Sequence, residues 1–197
     1  MDLCRIGNLV RRERMRTNRR KFLKMFVALK YIERRENNTE AYIDTLIYDG
    51  EDISYRIISD VRSTGYILGF SAKNRLLVRD NSAYYTVNGN WQVHNYPITF
   101  NKDKVYDLTI SAGVLTDNLT GLSVGNRTVN INNSHSMELY NKLDTGTGKV
   151  YRLTIFNKGK PIRDFIPAKR HDGEVGMYDL VGRKFYTSPN GVAFTGG

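Results

Sequence analysis

Cysteine is nearly absent from this 197-residue chain, because Cys4 is the only one and an intrachain disulfide is therefore excluded. There are only four prolines, and no apolar run approaches the ~20 residues that a membrane-spanning helix needs. Residues 1–6 show no apolar run after a basic cluster, so they do not resemble a secretory signal. We expect a chain that folds in a reducing cytoplasm and is held together by its hydrophobic core.

Residues with the spacing of a catalytic or metal site are also missing. His94, His135 and His171 are far apart and lack partners at metal-ligand spacing, so no zinc site is predicted. Asp172 and Glu174 alternate around Gly173, but a glycine-centred turn explains that triplet more simply than a carboxylate pair for glycoside hydrolysis. The sequence therefore predicts neither an enzyme nor a bound cofactor or metal.

Positive charge is concentrated at one end of the chain. Residues 1–30 hold ten basic and two acidic residues, a net charge of +8, whereas the remaining twenty basic and eighteen acidic residues give +2. Like charges this close repel one another, so the segment gains most from contact with something acidic. We divide the chain into a basic N-terminal arm, residues 1–30, and a body, residues 31–197.

The basic N-terminal arm is predicted to be helical or extended and to bind a partner. It has no proline, and an acidic protein surface is favoured over nucleic acid because its aromatic residues occur only at the end of the arm. A solvated, unbound tail is the alternative. The residues expected to contact the partner are Arg11, Arg12, Arg14, Arg16, Arg19, Arg20, Lys21, Phe22 and Phe26.

The body has the pattern of short strands separated by tight turns. Segments rich in Val, Ile, Tyr, Phe and Thr alternate with Gly, Asn and Asp, which predicts an all-β antiparallel sandwich. Single strands are predicted at 53–59, 66–71, 75–79, 106–111 and 127–131, and strands flanking turns at 82–87 with 91–96, 150–156 with 160–166, and 184–187 with 192–195. Residues 136–140 are predicted to form one helical turn.

Two single residues near the C-terminus also carry a structural expectation. Pro167 lacks a backbone donor, so it is expected at a sheet edge or a strand end. Asp179 is expected to accept backbone N–H bonds in a tight turn.

The ends of the body resemble a known family. The segments 150–156 (VYRLTIF), 163–170 (RDFIPAKR), 176–181 (GMYDLV) and 184–187 (KFYT) resemble the ending of concanavalin A-like, or laminin-G-like, domains of phage structural proteins and gut-bacterial surface proteins. Residues 31–33 (YIE) and 41–45 (AYIDT) are similar to the opening strand of that family. The resemblance implies a two-sheet antiparallel jelly-roll sandwich. Some relatives bind Ca²⁺, but no acidic cluster here has a matching spacing.

The expected function is that of a phage virion structural protein, a capsid decoration protein or head-fibre component docked through its basic arm. Such a protein assembles in the host bacterial cytoplasm and needs no secretory signal. Its expected partner is an acidic capsid or tail surface, and a homo-oligomer is compatible with this function. The alternative is a carbohydrate-binding adhesion module, with aromatic residues of one hairpin stacking on sugars. Its candidate residues are Tyr85, Trp91, His94 and Tyr96. A third alternative is a nucleic-acid-binding protein packaged with the genome.

Overall fold

A computed structural model describes residues 25–48, 50, 52–60, 62, 65–70, 74–79, 82–86, 101, 104–112, 114–125, 136–140 and 146–197. Its strands, numbered along the chain, are β1 (Phe26–Ala28), β2 (Ile32–Arg34), β3 (Ile43–Tyr48), β4 (Ile53–Asp60), β5 (Gly65–Phe70), β6 (Asn74–Arg79), β7 (Ser82–Thr86), β8 (Val105–Ser111), β9 (Val114–Asp117), β10 (Ser123–Gly125), β11 (Ser136–Leu139), β12 (Gly148–Asn157), β13 (Lys160–Arg170), β14 (Val175–Asp179), β15 (Lys184–Tyr186) and β16 (Thr195–Gly196). One 3₁₀ turn, Glu36–Asn38, follows β2.

These strands form two antiparallel sheets, which confirms the all-β prediction and is consistent with a β-sandwich. Sheet A has the order β10-β9-β8-β4-β12-β13-β14-β15, with β1 added to β13, β2 added to β12 and β16 added to β2. Sheet B has the order β3-β11-β5-β6-β7. The predicted strands at 53–59, 66–71, 75–79 and 106–111 correspond to β4, β5, β6 and β8. The predicted strands at 91–96 and 127–131 lie outside the described residues.

The hydrophobic core contains residues from both sheets, because alternate side chains of each strand point to the same face. Sheet A contributes Tyr55, Ile57, Leu108, Ile110, Leu115, Leu153, Ile155, Phe165 and Met177, and sheet B contributes Ile43, Met137 and Leu139. All of them are at most 2% exposed. The alternation fixes the opposite face of sheet A as its outer face, where residues such as Arg56 and Arg152 lie.

The β12–β13 hairpin joins the two longest strands of sheet A and confirms the prediction from the sequence. Its two loop residues, Lys158 and Gly159, have φ angles of 50° and 71°, the left-handed values that a two-residue hairpin turn requires. Glycine adopts such values without strain, which explains its place in the turn. Beyond the turn the pairing skips Ile162, so β13 carries a one-residue bulge between Pro161 and Arg163.

The predicted helical turn at 136–140 is wrong. Residues 136–139 form β11, which pairs with β3 and β5. Met137 and Leu139 are fully buried while Ser136 and Glu138 are half-buried, so the segment follows the two-residue period of a strand. Pairing on both sides outweighs the local helix preference of Met, Glu and Leu.

The segments flanking Asn190-Gly191 do not pair with each other. A turn is present, since the Gly191 N–H donates to the Ser188 carbonyl over 3.1 Å. However, β15 pairs with β14, and β16 pairs with β2. The turn therefore redirects the chain from one part of sheet A to another and does not close a hairpin.

Pro167 lies inside β13, opposite Met177 of β14, which corrects the expectation that it sits at an edge or a strand end. Its carbonyl accepts a bond of 3.0 Å from the Leu29 N–H, so its own nitrogen faces the same side. On that side β13 changes its partner from β12 to β1. The N–H donor that Pro167 lacks would therefore lie at the point where the hydrogen bonding of β13 passes from β12 to β1.

Asp179 is fully buried at the end of β14 and confirms the predicted turn. Its carboxylate accepts bonds from the backbone N–H groups of Val181 and Gly182, both at 3.0 Å, and from that of Asp164 at 2.9 Å. The carboxylate therefore orders the turn that leads to β15.

The last residues of the predicted arm belong to the body. β1 pairs with β13, and the Phe26 side chain is 5% exposed, with its ring centroid 5.0 Å from those of both Tyr178 and Phe185. Phe26 is therefore buried within this chain and does not offer its ring to a partner, which corrects the prediction for this residue. β1 is therefore part of sheet A.

We expect Gly176→Ala to destabilise the body, because a Cβ there would lie 2.2 Å from the Tyr186 carbonyl oxygen and 3.0 Å from the Phe185 ring. The strands β14 and β15 would have to separate, at a cost of about 1–3 kcal/mol in the free energy of unfolding. Urea unfolding followed by circular dichroism measures this loss in the free energy of unfolding. Gly50→Ala is the control, since its Cβ would meet only the Ile53 side chain at 3.4 Å. Equal midpoints for both variants would contradict the packing described here.

Candidate functional site

A row of polar side chains crosses the outer face of sheet A. Six residues on six neighbouring strands are aligned in register, and we call them the polar ladder: Ser123, Thr116, Thr109, Arg56, Thr154 and Asp164. Each side chain comes from the strand face opposite the core, which explains why a polar residue is tolerated at every step. The polar ladder runs perpendicular to the strands.

Two ion pairs dominate the polar ladder and its flank. Arg56 on β4 binds Asp107 on β8 with both Nε and Nη2, the Nε bond being 2.7 Å long. Arg152 on β12 binds Asp164 on β13 in the same way, at 2.8 and 2.7 Å. These planar two-point contacts hold each guanidinium in one orientation on the sheet. Both arginine side chains remain about half exposed.

Smaller hydrogen bonds fix the carboxylates from their other sides. The Asn118 amide donates to Asp107 and to the Thr109 hydroxyl, both over 2.9 Å. The Thr154 hydroxyl donates to Asp164 over 3.1 Å. Because each carboxylate has two or more donors, the polar ladder is ordered before any ligand arrives.

A groove of about 270 Å³ opens on this face beside the two arginines. Its lining residues are Arg56, Ile58, Arg152, Thr154, Phe156, Pro161 and Asp164. Ile58, Phe156 and Pro161 supply apolar surface, while the other four supply hydrogen-bonding groups. A few convergent polar groups beside an apolar wall are typical of small-ligand sites.

The ion pairs shift the pKa values of their members. Hydrogen bonds from Arg56 and, to a smaller extent, Asn118 lower the pKa of Asp107 below its ordinary value, because they favour the carboxylate. The bonds to Asp107 and Asp164 raise the pKa values of Arg56 and Arg152, respectively. The Arg56–Asp107 pair therefore stays charged on both members across the physiological pH range.

A second polar cluster lies where β2 meets β12 and is structural in its contacts. The buried Glu33 carboxylate binds Arg35 at 2.6 Å and Arg62 at 2.7 Å. Asp60, also buried, accepts the Lys149 N–H at 2.6 Å. These bonds satisfy the buried carboxylates and tie β2, β4 and β12 together, as buried charges require.

Among the residues that the structure describes, no cluster of His, Cys, Asp and Glu could hold a metal ion, and no helical segment has the length and hydropathy of a membrane span. Asp172 and Glu174 both pair with Arg170 at the exposed tip of the β13–β14 hairpin, where Gly173 has a φ of 98°. This is the glycine-centred turn that the sequence predicted.

Most of the candidate residues named from the sequence lie outside the described residues. Tyr85 is on β7 at the end of the sheet B order, and Trp91, His94 and Tyr96 lie outside the described residues. Arg11, Arg12, Arg14, Arg16, Arg19, Arg20, Lys21 and Phe22 lie outside them as well. Neither set is tested by the structure, which places only Tyr85, on β7, and Phe26, on β1.

The polar ladder was missed from the sequence although part of its signal was present. On β4, Arg56 stands between the buried Tyr55 and Ile57, and on β8, Asp107 and Thr109 flank the buried Leu108. This alternation indicates that these side chains lie on an outer face, but it does not show which strands are neighbours in the sheet. Which strands lie side by side depends on pairings between distant segments.

No family model matches the chain, and no curated protein or solved structure shows significant similarity to it. The resemblance of the chain's two ends to concanavalin A-like domains therefore remains an inference from sequence motifs. The geometry of the outer face has to carry the functional argument.

We expect the Asp107 carboxyl to titrate below about pH 4, its ordinary range, and Arg56→Met to raise that midpoint. The stability that the charged form provides is complete above the ordinary pKa and is lost as the pH falls through the lowered one. Carbon-detected NMR titration of the side chain measures both midpoints. In the control Lys158→Met, remote from Asp107, the midpoint stays unchanged; an unchanged midpoint in Arg56→Met would refute the assignment.

Proposed function

We propose that this chain is a structural component of a phage particle and that the body of the chain is a concanavalin A-like jelly-roll sandwich. Its basic N-terminal arm docks the protein on an acidic capsid or tail surface, and the outer face of sheet A binds carbohydrate. The family resemblance at both ends of the body and the two-sheet all-β architecture support the class of protein. The groove beside the polar ladder is the observation that supports the binding activity.

Docking through the arm rests on the uneven charge of the chain. Ten of its thirty basic residues fall in the first thirty positions, where the chain has only two acids. β1, which comes after residues 1–24, pairs with β13. A partner that binds the arm therefore also holds the folded body. Arginine is suited to this role, because its planar guanidinium can bind a carboxylate at two points.

The docking proposal predicts that Arg11, Arg12, Arg14 and Arg16 changed together to Gln reduce incorporation into particles by about tenfold or more. Quantitative mass spectrometry of purified particles measures the copy number. The control changes four exposed lysines of the body to Gln, an equal loss of charge: Lys158, Lys160, Lys169 and Lys184.

Removal of residues 1–24 should have the same effect, and it leaves β1 intact. Normal incorporation of either arm variant would refute docking through the arm. Duplex DNA binding by the purified protein that weakens steeply with salt and is lost with the arm would instead favour the packaged, nucleic-acid-binding alternative.

Carbohydrate binding rests on the composition of the groove. Sugars present hydroxyl groups around the rim of a ring and apolar C–H groups on its faces, so their sites combine planar polar groups with an aromatic or aliphatic surface. The groove has this combination, with Phe156 and Ile58 beside the Arg152–Asp164 pair. The site differs from the aromatic hairpin that the sequence suggested.

We expect Phe156→Ala to weaken glycan binding roughly tenfold, since it removes the one aromatic ring among the described residues that line the groove. A glycan array identifies ligands of the wild-type protein, and calorimetry compares the variants. Tyr48→Ala is the matched control, because Tyr48 is 55% exposed on sheet B, away from the groove. Equal losses in both variants, or none in either, would exclude the groove as the binding site.

A further inference from the structure

We infer that the polar ladder binds a linear, uncharged oligosaccharide that lies across the strands of sheet A. This inference rests on the carbohydrate function proposed above and names the class of ligand. It is carried by three properties of the polar ladder: its length, the chemistry of its side chains and its charge.

The length favours a chain of sugars over a single one. The polar ladder makes five steps between neighbouring strands, from Ser123 on β10 to Asp164 on β13. At ~4.8 Å for each step it extends over about 24 Å. A pyranose ring is about as long as one step, so about four to five linked rings match the polar ladder.

The side chains match the hydroxyl groups of a sugar. Serine and threonine hydroxyls donate and accept, as sugar hydroxyls do, and the Asp164 carboxylate accepts. At the far end Thr116 and Ser123 are joined by a hydrogen bond of 2.8 Å, and Thr109 by one to Asn118. These exposed groups offer a continuous track of hydrogen-bonding partners across β8, β9 and β10.

The apolar residues of the groove lie near the Asp164 end of the track. Phe156 and Pro161 are opposite each other on β12 and β13, and the pair Ile155–Arg163 separates them from Thr154 and Asp164. One ring of the ligand stacks there, and the following rings are held by hydrogen bonds along the polar ladder. Affinity should therefore start at the groove and increase as more of the polar ladder is covered.

The charge balance favours an uncharged ligand. Arg56 and Arg152 are each bound at two points by a carboxylate of this chain, Asp107 or Asp164. A sugar acid would have to displace one of these carboxylates or lie next to it, and either arrangement costs free energy. A neutral sugar accepts hydrogen bonds from the remaining N–H groups without breaking the pairs.

Calorimetric titration of the full chain with linear gluco-, xylo- and chito-oligosaccharides of increasing length, and with oligogalacturonates, tests this inference. We expect the affinity for at least one neutral series to rise about tenfold with length and to level off at about four to five units, with weaker binding of the oligogalacturonates. The double variant Thr109→Val and Thr116→Val should lose about threefold or more for the longest oligomers but nothing for the disaccharide.

Thr187→Val, beyond β15 and off the polar ladder, is the control, and circular dichroism verifies that each variant is folded. Binding of neutral sugars without length dependence, or tighter binding of oligogalacturonates, would overturn the inference and leave the carbohydrate function standing. Binding of none of these sugars, with a glycan array also blank, would overturn both.

Discussion

A single extra residue in β13 decides which side chains face the core and which face outward. If the two-residue turn at Lys158 and Gly159 were followed by regular pairing, Asp164 would stand opposite Leu153 and point into the core. The bulge at Ile162 shifts the register by one position, so that Phe165 faces inward opposite Leu153 and Asp164 faces outward opposite Thr154. The core and the polar ladder both depend on this shift.

The ion pairs of the outer face matter more for what they organise than for the stability they add. Each is exposed on its arginine side, and such pairs typically contribute at most about 1 kcal/mol. Their two-point geometry nevertheless fixes four charged groups on four neighbouring strands. The charges cancel within each pair, and the hydrogen bonds hold these polar groups in place on the outer face of sheet A.

Local sequence patterns predicted the parts of the fold that depend on local chemistry. The turn at Lys158-Gly159 and the strands β4, β6 and β8 follow from turn residues and from the two-residue period. The strand β11 was missed because its two neighbours come from distant segments, and Met and Leu alone do not distinguish a strand from a helix. The polar ladder was missed for the same reason, since Arg56 and Thr154 are almost a hundred residues apart and meet only through pairing.

The strand β2, near the start of the body, has both of its partners far along the chain, in β12 and β16. It pairs with β12 on one side and with Thr195 and Gly196 on the other, and the Lys30 N–H donates to the Gly197 carbonyl over 2.7 Å. Because a ribosome makes the chain from its N-terminal end, β2 and Lys30 complete their pairing with the segment 195–197 only after residue 197 has emerged. Until then the side of β2 that faces β16 is unpaired, and sheet A is completed only after residue 197 has been synthesised.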